Sequence, residues 1–156
     1  MKNYKSELFY GDVEVGDIFE TASRTITDSD IFQFAGLTGD FNELHTSDVY
    51  ASKTRFGHRI AHGMLTLAIA NGLYMRLGCF HSVFLEVKDW KFLKPVMIND
   101  TIRLKMTLKE KHLTSNPRKG IFTWQYDVLN QRDELVAAGI IVRMMNNPVD
   151  ADKKAV

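Results

Sequence analysis

The sequence predicts an α+β domain in which an antiparallel sheet curls around one long buried helix. Three observations carry that expectation. Four runs in the second half, His81 to Val96, Asp100 to Lys111, Gly120 to Leu129 and Leu135 to Met145, are rich in β-branched and aromatic residues and are separated by turn-forming segments, the pattern of consecutive hairpins. One stretch, Gly63 to Leu77, is apolar on nearly every face, which marks a helix inside a core. A chain of 156 residues suits one domain around one core.

Taken in order, Val15-Gly16-Asp17 reads as a turn and Ile18 to Ile26 as a strand. Thr27-Asp28-Ser29-Asp30 offers N-cap residues for a short helix carrying Ile31, Phe32, Phe34, Ala35 and Leu37. Gly39 and Asp40 break it. Asp40 to Ile60 is polar, mixed and rich in breakers; irregular segments of that length inside compact domains are often functional. Gly78 stops the buried helix. The sheet then needs one covered face, and the apolar helix is the obvious cover. The chain divides into one domain, 1–146, and a polar tail, 147–156.

Composition narrows the function classes. Hydrophobic residues make up 45% and charged residues 25%, ordinary globular values. A net charge of +1 removes the main electrostatic argument for nucleic acid. The apolar stretch Ala61 to Leu77 is interrupted by His62, Asn71 and Arg76 and is shorter than the roughly 20 residues that span a bilayer, so no membrane partner is expected. A lone cysteine, Cys79, fits a reducing compartment, and the first ten residues lack the apolar core of a signal peptide. The expected location is cytoplasmic.

Two clusters carry chemistry. Gly39-Asp40-Phe41-Asn42-Glu43-Leu44-His45 puts an acid, an amide and an imidazole in one loop after a helix. Asp40 and His45 together can hold a water and move its protons, a contribution of roughly 10²–10⁴-fold in rate where such groups act. Spacing alone leaves open a capping Asp40 and a partly buried loop histidine. The second cluster, Arg59-Ile60-Ala61-His62-Gly63-Met64-Leu65, opens the buried helix on a glycine. A helix N-terminus has free backbone N–H groups and favours negative charge, and glycine lets a ligand come close. Tight helix–sheet packing would also explain Gly63. A metal set drawn from His45, His58 and His62 lacks the carboxylate of a zinc hydrolase, and no metal is expected. Cys79, beside a helix-ending glycine and Phe80, reads as a buried thiol, and no serine nucleophile elbow occurs.

With these residues in view, the sequence resembles the MaoC-like dehydratase family, including (R)-specific enoyl-CoA hydratases. Asp40-Phe41-Asn42-x-x-His45 is similar to the hydratase motif, and Ala61-His62-Gly63-Met64-Leu65 to the second hallmark at a similar distance downstream. Trp90-Lys91-Phe92-Leu93-Lys94-Pro95-Val96 with Asn99-Asp100-Thr101 resembles the strand segment, and Val15-Gly16-Asp17 the usual entry. The likeness runs from about Val13 to Met145.

The resemblance implies a hot-dog fold, a homodimer or higher homo-oligomer, and reversible addition of water to a trans-2-enoyl thioester giving an (R)-3-hydroxyacyl thioester. Asp40 and His45 would be catalytic and the Gly63 N–H would hold the thioester oxygen. Asn42, His62, Met64 and Asn71 would bind substrate, carried on coenzyme A or an acyl carrier protein, with no cofactor. Glu43 stands where the family commonly has proline. Asn71 stands where some members carry a small serine facing the acyl group, and is expected to narrow the pocket or recognise a polar acyl chain. A hot-dog thioesterase and a non-catalytic acyl-CoA binder are the alternatives; the joint presence of Asp40 and His45 argues against both.

Overall fold

The computed structural model describes residues 7–148; the polar tail expected over 147–156 therefore lies largely outside the described residues. Its core is four long antiparallel strands, β3 (Ser82–Phe92), β4 (Thr101–Leu113), β5 (Lys119–Leu129) and β6 (Leu135–Asn146). With β1 (Ile18–Glu20) they form the order β1-β4-β5-β6-β3, and β2 (Arg24–Thr25) adds to β4. Each of the four runs seen in the sequence is a strand, with ends shifted by a few residues. β5 shows why they are legible: Phe122, Trp124, Tyr126 and Val128 are buried while their neighbours are half-exposed, the period of two that a one-sided sheet demands.

The single strand expected over Ile18 to Ile26 is interrupted. Thr21 is the cause: its hydroxyl accepts from the Leu104 N–H at 3.0 Å, so a side chain takes a place in the ladder. That competition between a short polar side chain and the backbone bends the chain between β1 and β2. Helix α1 (Asp28–Thr38) then starts on a reciprocal cap: the Thr27 hydroxyl accepts from the Asp30 N–H at 3.2 Å and the Asp30 carboxylate accepts from the Thr27 N–H at 2.8 Å. Gly39 closes α1 in the left-handed region, φ 79°, where a side chain would be strained.

The irregular segment after α1 contains two one-turn helices, α2 (Glu43–Thr46) and α3 (Asp48–Ala51), capped by Asn42 and Ser47. Arg59 holds the segment in place. Its guanidinium pairs with Asp28 and with Asp48, each at 2.7 Å, and joins the start of α1 to α3.

Helix α4 (Gly63–Met75) lies across the concave face of the sheet. Leu65, Ile69, Leu73 and Tyr74 pack with Phe19, Leu104, Met106, Trp124 and Ile141 in one core. Burying each such side chain contributes on the order of 1.5–3 kcal/mol. The helix is not buried all round, as its composition suggested. Met64, Ala68, Gly72 and Met75 form an exposed apolar stripe, with Met64 59% and Met75 46% exposed. On the same side of the domain, β3 pairs only with β6 and leaves its other edge unpaired among the described residues.

β3 is irregular where it passes β6, with register shifts between Phe84 and Glu86 and between Lys88 and Lys91. The second shift packs Trp90 onto Gly139: a Cβ at Gly139 would lie 2.7 Å from Trp90 Cε3 and 2.8 Å from Trp90 Cα. The clash is partly with backbone, so the strand itself must move. Gly139→Ala is expected to cost about 1–3 kcal/mol, as overpacking does. A urea midpoint matching the parent protein would contradict this role for Gly139.

Candidate active site

The loop after α1, the start of α4 and the end of β3 meet at a cavity of about 450 Å³ lined by Phe34, Thr38, Asp40, His45, His62, Gly63, Met64 and Phe92. The two clusters read from the sequence, 39–45 and 59–65, with α3 between them, are thus brought to one place. Potential ligand atoms of Asp40, His45 and His62 lie within 4.8 Å of one another. One water can hydrogen-bond to two groups that far apart.

His45 is poised by its backbone partner. Its Nδ1 lies 2.8 Å from the Ile60 carbonyl oxygen, which can only accept, so Nδ1 carries the hydrogen. Nε2 is left with a lone pair, the form a base needs. Burial pushes the His45 pKa below its ordinary value of 6.5; the Ile60 bond opposes this, His62 adds to it and Asp40 opposes it. The imidazole is therefore neutral near pH 7.

Asp40 is exposed and stands directly after the left-handed Gly39; its carboxylate accepts from the Asn42 N–H at 3.3 Å. Its backbone carbonyl accepts from His62 Nε2 at 3.0 Å. His62 is only 2% exposed. It is wedged between Phe34 and His45, with its ring centroid 3.9 Å from that of His45. The two imidazoles lie face to face at 34°, so their in-plane lone pairs run side by side instead of converging. A metal held by both rings would require one to turn. His58 is not in this group.

Gly63 is the first residue of α4, and its N–H makes no hydrogen bond among the described residues. A Cβ there would meet the Phe92 ring at 2.8 Å. Gly63 thus lets Phe92 close over the helix start, between this cavity and a second one of about 270 Å³ that also touches Thr66, Lys94 and Val136. Phe34 and Phe92, read in the sequence only as helix and strand residues, line the site together with Thr38. Met64 does line it. Asn42 does not: its Oδ1 accepts from the Leu44 N–H at 2.9 Å, so it caps α2 and fixes the loop between Asp40 and His45. Asn71 lies two helical turns beyond Gly63, hydrogen-bonded to Arg143.

A strongly bent sheet wrapped on a central helix, with this site at the helix start, defines a hot-dog protein. A Mycobacterium tuberculosis protein described as having a double hotdog fold superposes with TM-score 0.80 over 92% of this chain and 46% of that one; at 17% identity the likeness is one of fold. Residues 12–128 match the MaoC like domain, and the chain belongs to that family. It is 36% identical over 104 residues to the 3-hydroxybutyryl-CoA dehydratase of Methylorubrum extorquens, covering 66% of this chain and 65% of that protein. The crystal structure of the MaoC-like dehydratase from Rhodospirillum rubrum superposes with TM-score 0.81 at 28% identity, covering 91% of this chain and 99% of that one. The chain spans between about a third and two thirds of the length of the first curated relatives it matches.

Proposed function

We propose that the protein adds water reversibly to a trans-2-enoyl thioester, giving an (R)-3-hydroxyacyl thioester. The observation that carries this reading is the meeting of Asp40, His45 and the unpaired Gly63 N–H around one cavity. Water held between the Asp40 carboxylate and His45 Nε2 loses a proton to this pair as its oxygen bonds to C3. The electrons of the double bond move to the thioester oxygen, where the Gly63 N–H and the α4 dipole meet the developing charge. The pair then returns a proton to C2, so one water is added and nothing else is consumed. Dehydration is the same path in reverse. The name of the dehydratase relative supports a coenzyme A thioester as substrate.

The test is the loss of ultraviolet absorbance of the conjugated enoyl thioester, read beside the appearance of free thiol. Absorbance lost without thiol release supports the hydratase. Thiol release from saturated and unsaturated thioesters alike would instead make the protein a thioesterase.

The same reading includes a homodimer. The unpaired edge of β3 carries the exposed Phe84, Val87 and Phe92, and Phe92 lines the cavity with Met64, where the Met64–Met75 stripe of α4 begins. An apolar face of this kind next to an open strand edge calls for a partner. Two copies joined edge to edge through β3 would cover it. Light scattering at micromolar concentration is expected to give twice the chain mass of 17.9 kDa; a monomer would contradict the pairing.

A further inference from the structure

Arg143 is a buried cation that no acidic side chain answers. It sits on β6 opposite Phe84 of β3 and is 1% exposed. Its Nε donates to the Tyr126 hydroxyl at 3.1 Å, one terminal nitrogen to the Ser82 hydroxyl at 3.3 Å and the other to the Asn71 side-chain oxygen. The Tyr74 ring lies 3.8 Å from the guanidinium carbon and the Phe84 ring 4.8 Å. Every one of these partners is neutral. Burial pushes the phenols of Tyr74 and Tyr126 up, so neither offers a phenolate. No Asp or Glu among the described residues pairs with Arg143, whereas Arg24, Arg59, Arg103 and Arg132 all have carboxylate partners.

A guanidinium has five N–H donors, and three hydrogen bonds leave two of them over. Hydroxyls and ring faces lessen the cost of burying such a charge, but a carboxylate matches it in sign and shape. The place matters as much as the charge. Asn71 is eight residues beyond Gly63 on α4, about 12 Å along the axis. Its side chain leans back toward the helix start, which brings the guanidinium nearer the catalytic end. Asn71 and Ser82 are half-buried and Phe84 is partly exposed, so the cluster lies just beneath the boundary of α4 and β3. That boundary begins at Gly63, Met64 and Phe92, which line the catalytic cavity.

We propose that Arg143, oriented by Asn71, Ser82 and Tyr126, binds a carboxylate at the far end of the acyl group, so that the substrates are monothioesters of dicarboxylic acids. This rests on the acyl-thioester reading above and names its substrate class. Phe84 and the Asn71 side chain shift to admit the carboxylate, which takes the two remaining N–H donors.

Calorimetry with saturated thioesters tests it independently of turnover. Succinyl-, adipyl- and suberyl-CoA are compared with butyryl-, hexanoyl- and octanoyl-CoA, on the full chain and on Arg143→Gln. At one chain length the carboxylated ligand is expected to bind the parent protein about ten- to a hundredfold more tightly than its neutral counterpart. In Arg143→Gln that ratio falls to near one. Equal or weaker binding of every carboxylated ligand by the parent protein overturns the inference, whether or not the variant folds, and leaves the hydratase reading standing. A preference that survives in folded Arg143→Gln also overturns it. Failure to bind any of the six would overturn the acyl-thioester reading together with it.

Discussion

Asp40→Asn is expected to lower enoyl-thioester hydration by about 10²–10⁴-fold, the range a positioned acid–base group contributes. The substitution keeps shape and volume. The amide oxygen can still accept from the Asn42 N–H, and the Asp40 carbonyl still accepts from His62, so the loop holds. Only the negative charge and the proton site are lost. Because Asp40 is exposed, no buried partner is left unsatisfied, and the free energy of unfolding in urea is expected to stay within about 0.5 kcal/mol of the parent value. A variant with near-parent turnover would remove Asp40 from the mechanism.

His45→Ala is expected to reduce turnover by a similar factor, but with a different signature. It removes Nε2 from the site and also the Nδ1–H donated to the Ile60 carbonyl. Leaving that half-buried carbonyl short of a partner costs about 1–2 kcal/mol of stability. The pH profile separates chemistry from structure. In the parent protein, kcat/KM is expected to fall as pH drops through the His45 pKa, on a limb lying below 6.5 because burial disfavours the imidazolium. Residual activity of His45→Ala loses that limb. The linkage has the same sign: the folded chain binds fewer protons here than the unfolded chain. The contribution of His45 is therefore complete above the unfolded value and is eroded as pH falls toward the folded one. A limb unchanged in His45→Ala would assign it to another group.

Much of this arrangement could be read from the residues. β5 alternates strictly because one face meets α4, and Thr27 with Asp30 announces α1 by chemistry local to four residues. Asp40, His45 and Gly63 are legible as two short motifs, and resemblance to one family is what joins them in the sequence. What escaped the sequence depends on long-range partners. Thr21 breaks the first strand only because Leu104 stands opposite it. α2 and α3 are single turns that hold because Asn42 and Ser47 cap them and Arg59 ties them down. Phe92 enters the site because Gly63, 29 positions earlier in the chain, leaves room for its ring. Arg143 reads as one polar residue in a strand; that it is buried without an acid is visible only in three dimensions.

The exposed stripe of α4 shows the same division. Met64, Ala68, Gly72 and Met75 made the helix look buried on every face, and apolar composition cannot tell a core from a surface awaiting another chain. The sheet order shows only that β3 is an edge strand among the described residues, which the dimer proposed above would cover.

The most direct test of the central claim follows the absorbance of a conjugated enoyl-CoA panel, straight-chain and carboxylated, with the parent protein and Asp40→Asn side by side. The account predicts loss of absorbance with no free thiol in the parent protein, and a rate lower by about 10²–10⁴-fold in a folded Asp40→Asn. Equal rates in the two, or no loss of absorbance on any member of the panel with folding intact, would contradict it.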